Sequence, residues 1–545
     1  MRTIDSKGES AGVLSAPRPI VLSGFMATGK STVGPALAAR LGVPFVDTDA
    51  EIERTAGKSI PALWRDEGEA RFRARESEVI ERLLSDGVTR VLGFGGGAVT
   101  TQRTRHMAAE RALVVTLTAS PETVVARVGD VAARPKLAAG GDPIARARAL
   151  LEQRAECYAE CHLALSTEAL DVDMVVDAVA ALSARDPLLV PLGSRSYCID
   201  ICHGEPLRLT DAIARCAPSS VVLVSDSNVH RARGAFFEHA LRALAVPVVH
   251  VTLPPGESHK SLATVSTIWD AALGAGVDRD ALVLAAGGGV VGDLAGFAAA
   301  CLLRGVRFVQ APTTLLAMVD ASVGGKTAFD HPAGKNLIGA FHQPSGVVAD
   351  LGHLSTLPAR ERAAGLAEVV KIALATDGAL FERLEHDAHA LARGDVDALL
   401  PVVRQAVAAK IRIVRDDERE AGARALLNLG HTVGHALEAH GGYTALLHGE
   451  AVGLGMVAEL RACAALGWTP SSLVDRTAAL LSVLGLPARP GASELAAAWP
   501  YVASDKIGIP PQRITQSGTV VTDRPHHVTA PNDEAPLLDG DLFDQ

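Results

Sequence analysis

The sequence predicts an α/β protein in three parts: a P-loop domain with a parallel sheet and flanking helices, a Rossmann-like α/β region, and a mostly helical region. Three observations support this prediction. A short apolar strand at 20–22 leads into a glycine-rich loop at 24–31. The apolar runs at 221–224 and 282–285 end in polar or glycine-rich turns, as buried parallel strands do. Residues 360–500 are rich in Ala and Leu with a helical period.

Composition narrows the class of protein. The chain has 545 residues, too many for one core, so two or three domains are expected. A net charge of −10 argues against a nucleic-acid partner, and seven scattered cysteines favour a reducing, cytoplasmic compartment. The N-terminus lacks the apolar run of a signal peptide. The apolar stretch from 282 to 303 is interrupted by three glycines, which favour a buried strand, turn and helix over a membrane span.

Two Cys-x3-Cys-His sequences have spacings compatible with zinc. They lie at 157–162 and 198–203. Because the first falls in a helical pattern, a metal site there is the less favoured interpretation.

The first glycine-rich loop has the full pattern of a phosphate-binding loop. Its glycines, Gly24 and Gly29 among them, free the backbone amides to face phosphates. Lys30 would neutralise the outer phosphates, Ser31 would ligate magnesium, and Thr32 follows in the predicted helix. A chance glycine turn is the alternative. Because a strand precedes the loop and a helix follows it, we expect ATP with Mg²⁺ to bind here.

More polar groups follow in the first domain. Asp47 and Asp49 come at the end of a predicted strand over 43–49, where ligands bind in open α/β sheets. A helix N-cap is the alternative role for these acids. Arg73 lies on a charged helix, where surface ion pairing is the alternative. Gly95–Gly97 form a turn that lets a ligand approach the backbone.

A basic segment ends this domain. Arg127, Arg134 and Lys136 flank Gly140-Gly141, a composition suited to a mobile lid. Arg154 is placed on the next predicted helix.

In this order, the motifs resemble shikimate kinase over roughly residues 18–182: the P-loop, Asp47-Thr48-Asp49, Phe72-Arg73, Gly95–Gly97, Arg134-Pro135 and Arg154. The resemblance implies that shikimate is held by Asp49, Arg73, Gly96, Gly97 and Arg154. Asp49 would hold or deprotonate the acceptor hydroxyl, and Asp47 would organise the magnesium shell with Ser31. Arg134 would close over the transferring phosphoryl group, and Arg127 would lie near the adenine.

Polar residues at strand ends in the second region indicate a dinucleotide site. Asp226 and Asn228 follow the strand at 221–224, positioned for a ribose or adenine. The glycines at 287–289, before Asp293, would let a pyrophosphate approach, although their order is not G-x-G-x-x-G. Other polar candidates lie in neighbouring turns: Glu257, Lys260, Arg304, Thr313, Thr314, Asp320, Lys326, Lys335 and Asn336.

A histidine constellation marks the helical region. His431 and His435 are four residues apart, so on a helix they share one face. His448 lies beyond a glycine-rich bend that can fold it back toward the pair. Two imidazoles and one carboxylate form the usual open catalytic zinc site, and Glu368, in an apolar helix with Lys371 one turn on, is the best candidate carboxylate. Surface histidines on an amphipathic helix are the alternative.

Cationic and amide side chains precede these histidines along the chain. Lys410, Arg424 and Asn428 precede His431 in the helical region. So many cations beside a metal imply an anionic substrate with both a phosphate and a carboxylate.

The second region, about residues 195–510, resembles 3-dehydroquinate synthase in Gly-Glu-x-x-Lys, the glycine turn with Asp293, Pro-Thr-Thr, Asp320-x5-Lys326, Gly-Lys-Asn, Leu-Ala-Glu-Val-Val-Lys and Asn-x-Gly-His-x-x-Gly-His-Ala-x-Glu. The resemblance assigns Zn²⁺ or Co²⁺ to Glu368, His431 and His448, and makes His435 a proton relay beside the phosphate. It assigns NAD to Asp226, Asn228, Glu257, Lys260, Gly288, Gly289, Asp293, Thr313, Thr314 and Lys335. It assigns the substrate to Arg304, Lys326, Asn336, Lys371, Lys410, Arg424, Asn428, His435 and Lys506. Asp320 and Lys326 are expected to be catalytic, and Arg304 to reach across a homodimer interface.

Two departures from that family stand out. Ala328-Phe329-Asp330 replaces a small Gly-aliphatic-Asn run, which leaves the local loop shape open. Lys506 is followed by Ile507 and a Pro-rich tail instead of a second lysine and a closing strand. We expect Lys506 still to contact substrate, and truncation after residue 515 to leave the synthase intact.

Two other functions would each explain part of the sequence pattern. A metal-dependent polyol dehydrogenase would explain the glycine turn and metal of the second region, but not its many Lys and Arg residues. A nucleotide-sensing regulatory module would explain the P-loop, but not Asp49, Arg73 and Arg154.

Turn residues and composition set the expected boundaries. They are a flexible leader over 1–18, a shikimate kinase-like P-loop domain over 19–182, a linker over 183–193, an NAD-binding part over 194–355, a helical metal-binding and substrate part over 356–510, and a divergent tail over 511–545.

Overall fold

A computed structural model describes residues 18–129, 137, 141–489 and 491–502, and the backbone of 513–514 and 520–521. The chain divides into two compact units, Met1–Cys198 and Ile199–Gln545. Nearly all of the predicted leader, nearly all of the predicted tail, and Lys506 lie outside the described residues. Within the described part, no helix combines the length and the apolar character that crossing a membrane would need.

The first unit is built on a five-stranded parallel sheet in the order β2-β3-β1-β4-β5. Its strands are β1 (Ile20–Ser23), β2 (Phe45–Asp47), β3 (Val91–Gly93), β4 (Leu113–Thr118) and β5 (Leu163–Ser166). The helices around it are α1 (Lys30–Leu41), α2 (Thr48–Ala56), α3 (Ile60–Glu67), α4 (Glu69–Ser85), α5 (Gln102–Arg111), α6 (Pro121–Val128), α7 (Pro143–Gln153), α8 (Ala155–Ala159) and α9 (Val172–Arg185).

Strand β1 explains why this sheet has helices on both faces. Ile20 and Leu22 pack in one apolar cluster with α1 and α9, whereas Val21 packs in the opposite cluster with α4. Successive side chains of a strand point to opposite faces, so a strand that is apolar throughout must be covered twice. The site loop therefore leaves the sheet at its centre, between two packed layers.

A second sheet has seven strands in the order β6-β7-β14-β11-β10-β8-β9, and all of them except β6 and the first two residues of β7 belong to the second unit. Its strands are β6 (Leu188–Val190), β7 (Tyr197–Cys202), β8 (Val221–Asp226), β9 (Val248–Leu253), β10 (Leu282–Gly287), β11 (Arg307–Pro312) and β14 (Gly346–Asp350). The predicted linker over 183–193 therefore contains the last turn of α9 and an edge strand. Leu188–Val190 is three residues long between prolines, so only its pairing in the sheet identifies it as a strand.

Helices cover this sheet and then continue as a helical region from Ala359, close to the predicted boundary at 356. The helices on the sheet are α10 (Pro206–Ala214), α11 (Ser227–Arg242), α12 (Leu262–Gly274) and α13 (Gly289–Cys301). The helical region comprises α14 (Ala359–Thr376), α15 (Gly378–Arg393), α16 (Val396–Asp416), α17 (His431–His440), α18 (His448–Ala465), α19 (Ser471–Val483) and α20 (Ala492–Val502).

A hairpin accounts for one departure from the family pattern. Strands β12 (Lys326–His331) and β13 (Gly334–Phe341) pair in an antiparallel sheet. Phe329 lies 5 % exposed, with its ring centroid 5.2 Å from that of Phe297 on α13. The aromatic residue thus fills the core beneath the hairpin and fixes the shape of a segment that the sequence left open.

A buried polar cluster secures the end of β14. Asp350 accepts hydrogen bonds from the backbone amides of Gly204, Glu205 and Gly352. His353 is 1 % exposed, stacks on Phe237, and accepts a hydrogen bond at Nδ1 from Arg233 Nε at 3.0 Å. Burial, followed by the charge of Arg233, lowers the pKa of His353 to about 4, against the attraction of Asp350.

This histidine should make the second unit sensitive to acid. Its folded pKa lies below the ordinary value of 6.5. The unfolded chain therefore takes up a proton between pH 6.5 and 4 that the folded chain refuses, so stability falls with pH across that window. The shift corresponds to about 3 kcal/mol. We expect His353→Phe to flatten the pH dependence of the urea midpoint between pH 7 and 5, relative to wild type. Parallel profiles for the two proteins would contradict this assignment.

Candidate active sites

The first site is a pocket at the carboxyl edge of the five-stranded sheet. It is lined by Met26, Ala27, Lys30, Ser31, Asp47, Asp49, Arg73, Gly93, Phe94, Gly95, Gly96, Gly97 and Arg154. The structure thus brings together the predicted phosphate loop, both acids, two of the predicted cations and the glycine turn.

The loop has the shape that its glycines require. Gly24 has φ of 132°, and a Cβ there would stand 2.2 Å from the carbonyl oxygen of Leu117. Gly29 has φ of 96° and is the N-cap of α1. Lys30 Nζ donates to the carbonyl oxygens of Gly24 and Phe25 at 2.8 and 2.7 Å. The loop therefore holds its lysine over the helix N-terminus, where anions bind.

The two acids have different positions from those predicted. Strand β2 ends at Asp47, and Asp49 lies in the first turn of α2. Asp47 Oδ1 accepts from the amides of Asp49 and Ala50, so Asp47 is an N-cap as well as a pocket residue. Burial and the charge of Asp47 raise the pKa of Asp49, although Lys30 and Arg73 lower it. A carboxylate with a raised pKa suits the acceptance of a proton from a hydroxyl.

Arg73 is held by a buried acid, so surface ion pairing is wrong for this residue. Its Nη1 lies 2.6 Å from Oε2 of Glu76, which is 1 % exposed. Its guanidinium also lies 5.2 and 5.7 Å from the ring centroids of Phe72 and Trp64. A Cβ at Gly97 would meet Arg73 Nη2 at 2.3 Å, so a larger residue there would displace the guanidinium from its present place in the pocket.

We expect Glu76→Gln to raise the KM for the substrate that Arg73 binds about tenfold or more, because a charge-assisted hydrogen bond contributes about 1.5–3 kcal/mol. Arg73 would lose its fixed direction while keeping its charge. The KM for ATP should not change, since Glu76 is not part of the phosphate loop. Equal increases in both KM values would indicate general damage to the domain and contradict this role.

Arg154 lies at the junction of α7 and α8 instead of within a helix. It is 8 % exposed and donates to the carbonyl oxygen of Gly96 at 2.9 Å. Tyr158 donates to the same oxygen at 2.6 Å. The sequence interpretation missed Tyr158, although its place four residues after Arg154 was a usable signal. Together the two side chains orient the Gly96 peptide.

Arg127 reaches the loop through a residue that was also missed. Its Nη1 and Nη2 donate to Oγ1 and the carbonyl oxygen of Thr167, both at 2.8 Å. Thr167 in turn donates to the carbonyl oxygen of Thr28 at 3.1 Å. Arg134 and Lys136, predicted for the lid, lie outside the described residues.

The second site is a cluster of one carboxylate and three imidazoles. Glu368 of α14, His431 of α17 and His448 of α18 place ligand atoms within 4.8 Å of one another. His431 and His435 share a helix face, with ring centroids 5.3 Å apart, and His448 folds back to 5.2 Å from His431. The alternative interpretation, surface histidines on an amphipathic helix, is therefore wrong, because the Glu368 side chain is only 1 % exposed and the His431 side chain only 12 % exposed.

These residues fit a transition metal. His448 Nε2 and His431 Nε2 lie 3.5 and 3.9 Å from Glu368 Oε1, too far for good hydrogen bonds. Ligand atoms around a tetrahedral zinc with bonds of about 2.0–2.1 Å stand about 3.3–3.4 Å apart. In the described part of the chain, Glu368 Oε1 accepts no hydrogen bond although it is buried. A cation shared by the three side chains would satisfy that oxygen.

Charge in the cluster suits metal binding at Glu368 and His431. Burial would raise the pKa of Glu368, but Lys371 and His448 lower it to about 2. Burial and then the charge of Lys371 lower the pKa of His431 to about 3, so this imidazole stays neutral, as a ligand must. At His448, burial lowers the pKa, but the carboxylates of Glu368 and Glu438 raise it to about 10, so a metal must displace a proton from that imidazole. Of the metal-compatible groups in the described residues, none contains a cysteine.

A row of alternating charges leads away from Glu368, and its lysines are buried whereas the Asp320 side chain is 29 % exposed. Lys371 pairs with Glu368 and lies 3.9 Å from Asp320 Oδ1. Lys410 Nζ lies 2.6 Å from the same oxygen. Burial lowers the pKa of Lys410 to about 8, with Arg424 and Lys371 acting in the same direction and Asp320 opposing them. Arg424 is 3 % exposed and donates to the carbonyl oxygen of Glu418.

Ion pairs join four of the residues predicted for the nucleotide in two pairs, and join one of them to a helix of the metal cluster. Lys260 Nζ lies 2.6 Å from Asp293 Oδ2 and donates to Asn336 Oδ1 at 2.5 Å. Lys335 Nζ lies 3.6 Å from Glu257 and 3.5 Å from Glu438. These contacts join the hairpin, the glycine turn and the metal helices.

The glycine turn at 287–289 lies between strand β10 and the start of a helix. Gly288 is the N-cap of α13, which begins at Gly289. A Cβ at Gly288 would stand 3.2 Å from Thr314 Cγ2, and Thr313 donates its amide to Gly287. Thr313 and Thr314 therefore line the turn across the neighbouring strand.

Other candidates lie apart from these contacts. The Asp226 side chain caps α11 by accepting from the amides of Asn228 and Val229. Lys326 pairs with Glu420 at the hairpin. Arg304 is exposed, with φ of 70°, and Asn428 ends a 3₁₀ turn before α17.

The fold and the two sites define a P-loop phosphotransferase unit joined to a nucleotide-binding α/β unit with a helical metal site. A shikimate kinase family model matches residues 26–182. Models of the N-terminal and C-terminal parts of 3-dehydroquinate synthase match residues 250–364 and 365–507.

Individual relatives and a solved structure match the same part of the chain as the synthase family models. The 3-dehydroquinate synthase of Halorhodospira halophila is 49 % identical over 306 residues, which cover 56 % of this chain and 84 % of the relative. That of Caulobacter vibrioides is 50 % identical over 304 residues, 55 % of this chain and 81 % of the relative. The solved 2-epi-5-epi-valiolone synthase from Streptomyces hygroscopicus subsp. jinggangensis, with NAD⁺ and Zn²⁺ bound, is similar with a TM-score of 0.54 and 31 % identity. The match covers 60 % of this chain and 91 % of that one.

The chain belongs to the 3-dehydroquinate synthase family and carries a shikimate kinase domain ahead of the synthase domain.

Proposed function

We propose that the chain is a bifunctional enzyme of the shikimate pathway of aromatic amino acid biosynthesis. Its first domain phosphorylates shikimate with ATP to give shikimate 3-phosphate. Its second domain converts 3-deoxy-D-arabino-heptulosonate 7-phosphate into 3-dehydroquinate and phosphate. The observation that carries the proposal is the Glu368–His431–His448 cluster beside buried lysines, in one chain with a complete phosphate-loop pocket.

In the kinase site, catalysis rests on position and charge. Lys30 and the loop amides hold the phosphates of ATP, and Ser31 and Asp47 hold Mg²⁺. Arg73 and Arg154 bind the shikimate carboxylate, for which guanidinium forks are suited. Asp49, beside them, accepts the proton of the attacking hydroxyl.

In the synthase site, Glu368, His431 and His448 hold the metal, and the residues around Lys260 and Gly288 hold NAD. When bound, NAD supplies a reversible hydride acceptor and Zn²⁺ or Co²⁺ a Lewis acid. Because the hydride is returned, no net NADH forms.

The chain's own residues then orient the anionic substrate and move its protons. Lys371, Lys410 and Arg424 supply the buried positive charge that a phosphate and a carboxylate require. Asp320 holds Lys371 and Lys410 in place through its ion pairs. His435, beside His431 and His448, relays the proton lost next to the departing phosphate.

A homodimer through the synthase domain completes the proposal. Strand β13 exposes Leu337 and Phe341 on one face, 50 and 47 % respectively, and Phe341 pairs in register with Lys326. An apolar strand face beside a substrate residue suits contact with a second copy, whose exposed Arg304 would approach the site. Sedimentation of the Phe341→Glu variant tests this contact by its loss of dimer. The seven free cysteines support a cytoplasmic location.

The direct test supplies each substrate to the purified protein. We expect one phosphate per dehydroquinate from the heptulosonate phosphate without net NADH, and ADP from ATP only when shikimate is present. Net NADH from a neutral polyol, without phosphate release, would support the polyol dehydrogenase alternative instead. ATP binding without ADP release would support a regulatory first domain.

A further inference from the structure

The imidazole of His448 lies between two carboxylates. Its Nε2 faces Glu368 Oε1 at 3.5 Å, and its Nδ1 lies 3.3 Å from Glu438 Oε2. A neutral imidazole has one N–H donor and one lone pair, on different nitrogens. If Nε2 offers its lone pair to a metal, Nδ1 must carry the hydrogen, and Glu438 is the group placed to accept it.

Glu438 is itself firmly held. It lies on α17, 5 % exposed, one turn beyond His435. Its second oxygen, Oε1, is 3.5 Å from Lys335 Nζ, which in turn lies 4.5 Å from the ring centroid of Tyr443. A buried carboxylate is costly unless paired, and here each oxygen has its own partner. Lys335 thus fixes the direction in which Glu438 meets His448.

We propose that Glu438 is a positioning residue for the metal site, which fixes the tautomer and ring orientation of His448 by accepting its Nδ1–H. This inference rests on the proposed assignment of metal to Glu368, His431 and His448. Partners of this kind orient ligating histidines and raise their basicity, and their loss typically weakens metal binding about 10–100-fold.

Glu438 could instead be a metal ligand in a second group of side chains. Glu438, His435 and His448 also place ligand atoms within 4.8 Å of one another. If that trio held its own ion, Glu438 would be a ligand and the chain would bind two metals. The hydrogen-bond distance between Glu438 and His448, and the lysine on the other oxygen, favour the positioning role.

The test measures Co²⁺ binding to the full-length, metal-free protein by chelator competition and by visible absorption. Wild type should bind one Co²⁺ per chain. Glu438→Gln should bind one Co²⁺ about 10–100-fold more weakly, with a shifted absorption band, because the acceptor is no longer charged. Its metal-free form should melt like metal-free wild type, since the change is aimed at the ligand and not at the fold.

Glu450→Gln is the matched control. Glu450 is also a buried, ion-paired glutamate, bound to Arg360, and it lies on α18 only two residues from His448. Its variant should keep wild-type Co²⁺ affinity and spectrum. An unchanged affinity and spectrum in Glu438→Gln, or a second Co²⁺ on wild type that Glu438→Gln no longer binds, would overturn the positioning role. Wild type that binds no Co²⁺ would overturn the metal assignment itself.

Discussion

Removal of bound metal is expected to lower phosphate release from the heptulosonate phosphate on the order of 10³-fold, because a Lewis acid contributes several kcal/mol to charge stabilisation. Zn²⁺ or Co²⁺ should restore the rate. Mg²⁺ alone should not, because it prefers oxygen ligands in an octahedral shell, whereas this cluster offers two imidazole nitrogens.

The kinase domain supplies an internal control for this experiment. After chelation and dialysis, Mg²⁺ alone should restore ADP release with shikimate, because the phosphate loop offers Ser31 and carboxylates. Full synthase activity in protein shown by elemental analysis to be metal-free would contradict the role of Glu368, His431 and His448.

The substitution Lys30→Ala should lower ADP release about 10²–10³-fold, as the loss of a preorganised charge at a transferring group does. The side chain lies over the loop at the N-terminus of α1, where the outer phosphates of ATP would bind. Lys58→Ala is the matched control, because Lys58 is an exposed lysine of the same unit paired with Asp66. It should leave the rate unchanged.

The same variant tests whether the two sites act independently. The two proposed reactions are not consecutive, since dehydroquinate must be dehydrated and reduced before it becomes shikimate. No intermediate therefore needs to pass between the sites, and the fusion would serve to fix equal amounts of the two enzymes. Lys30→Ala should spare phosphate release, and His435→Ala should spare ADP release. A tenfold fall in the other domain's rate in either folded variant would show coupling.

The sequence by itself was enough to identify the motifs whose residues are close together along the chain. The loop from Gly24 to Ser31 needs only its own glycines and a helix start. His431 and His435 share a face because a helix repeats every 3.6 residues. Glu368 and His448 were also found, since an acid in an apolar helix and a histidine after a glycine bend are locally unusual.

The tertiary structure alone decided which distant groups complete each site. It placed Asp320 between Lys371 and Lys410, Tyr158 under Gly96, and Glu438 against His448. It also made the predicted linker at 188–190 an edge strand. The spacing of residues along the sequence shows which of them share a face of one helix or strand. Which side chains of different helices and strands come into contact depends on how the apolar faces of those elements pack. The partner of a buried charge has no sequence signature, because the two groups come together only after the chain has folded around them.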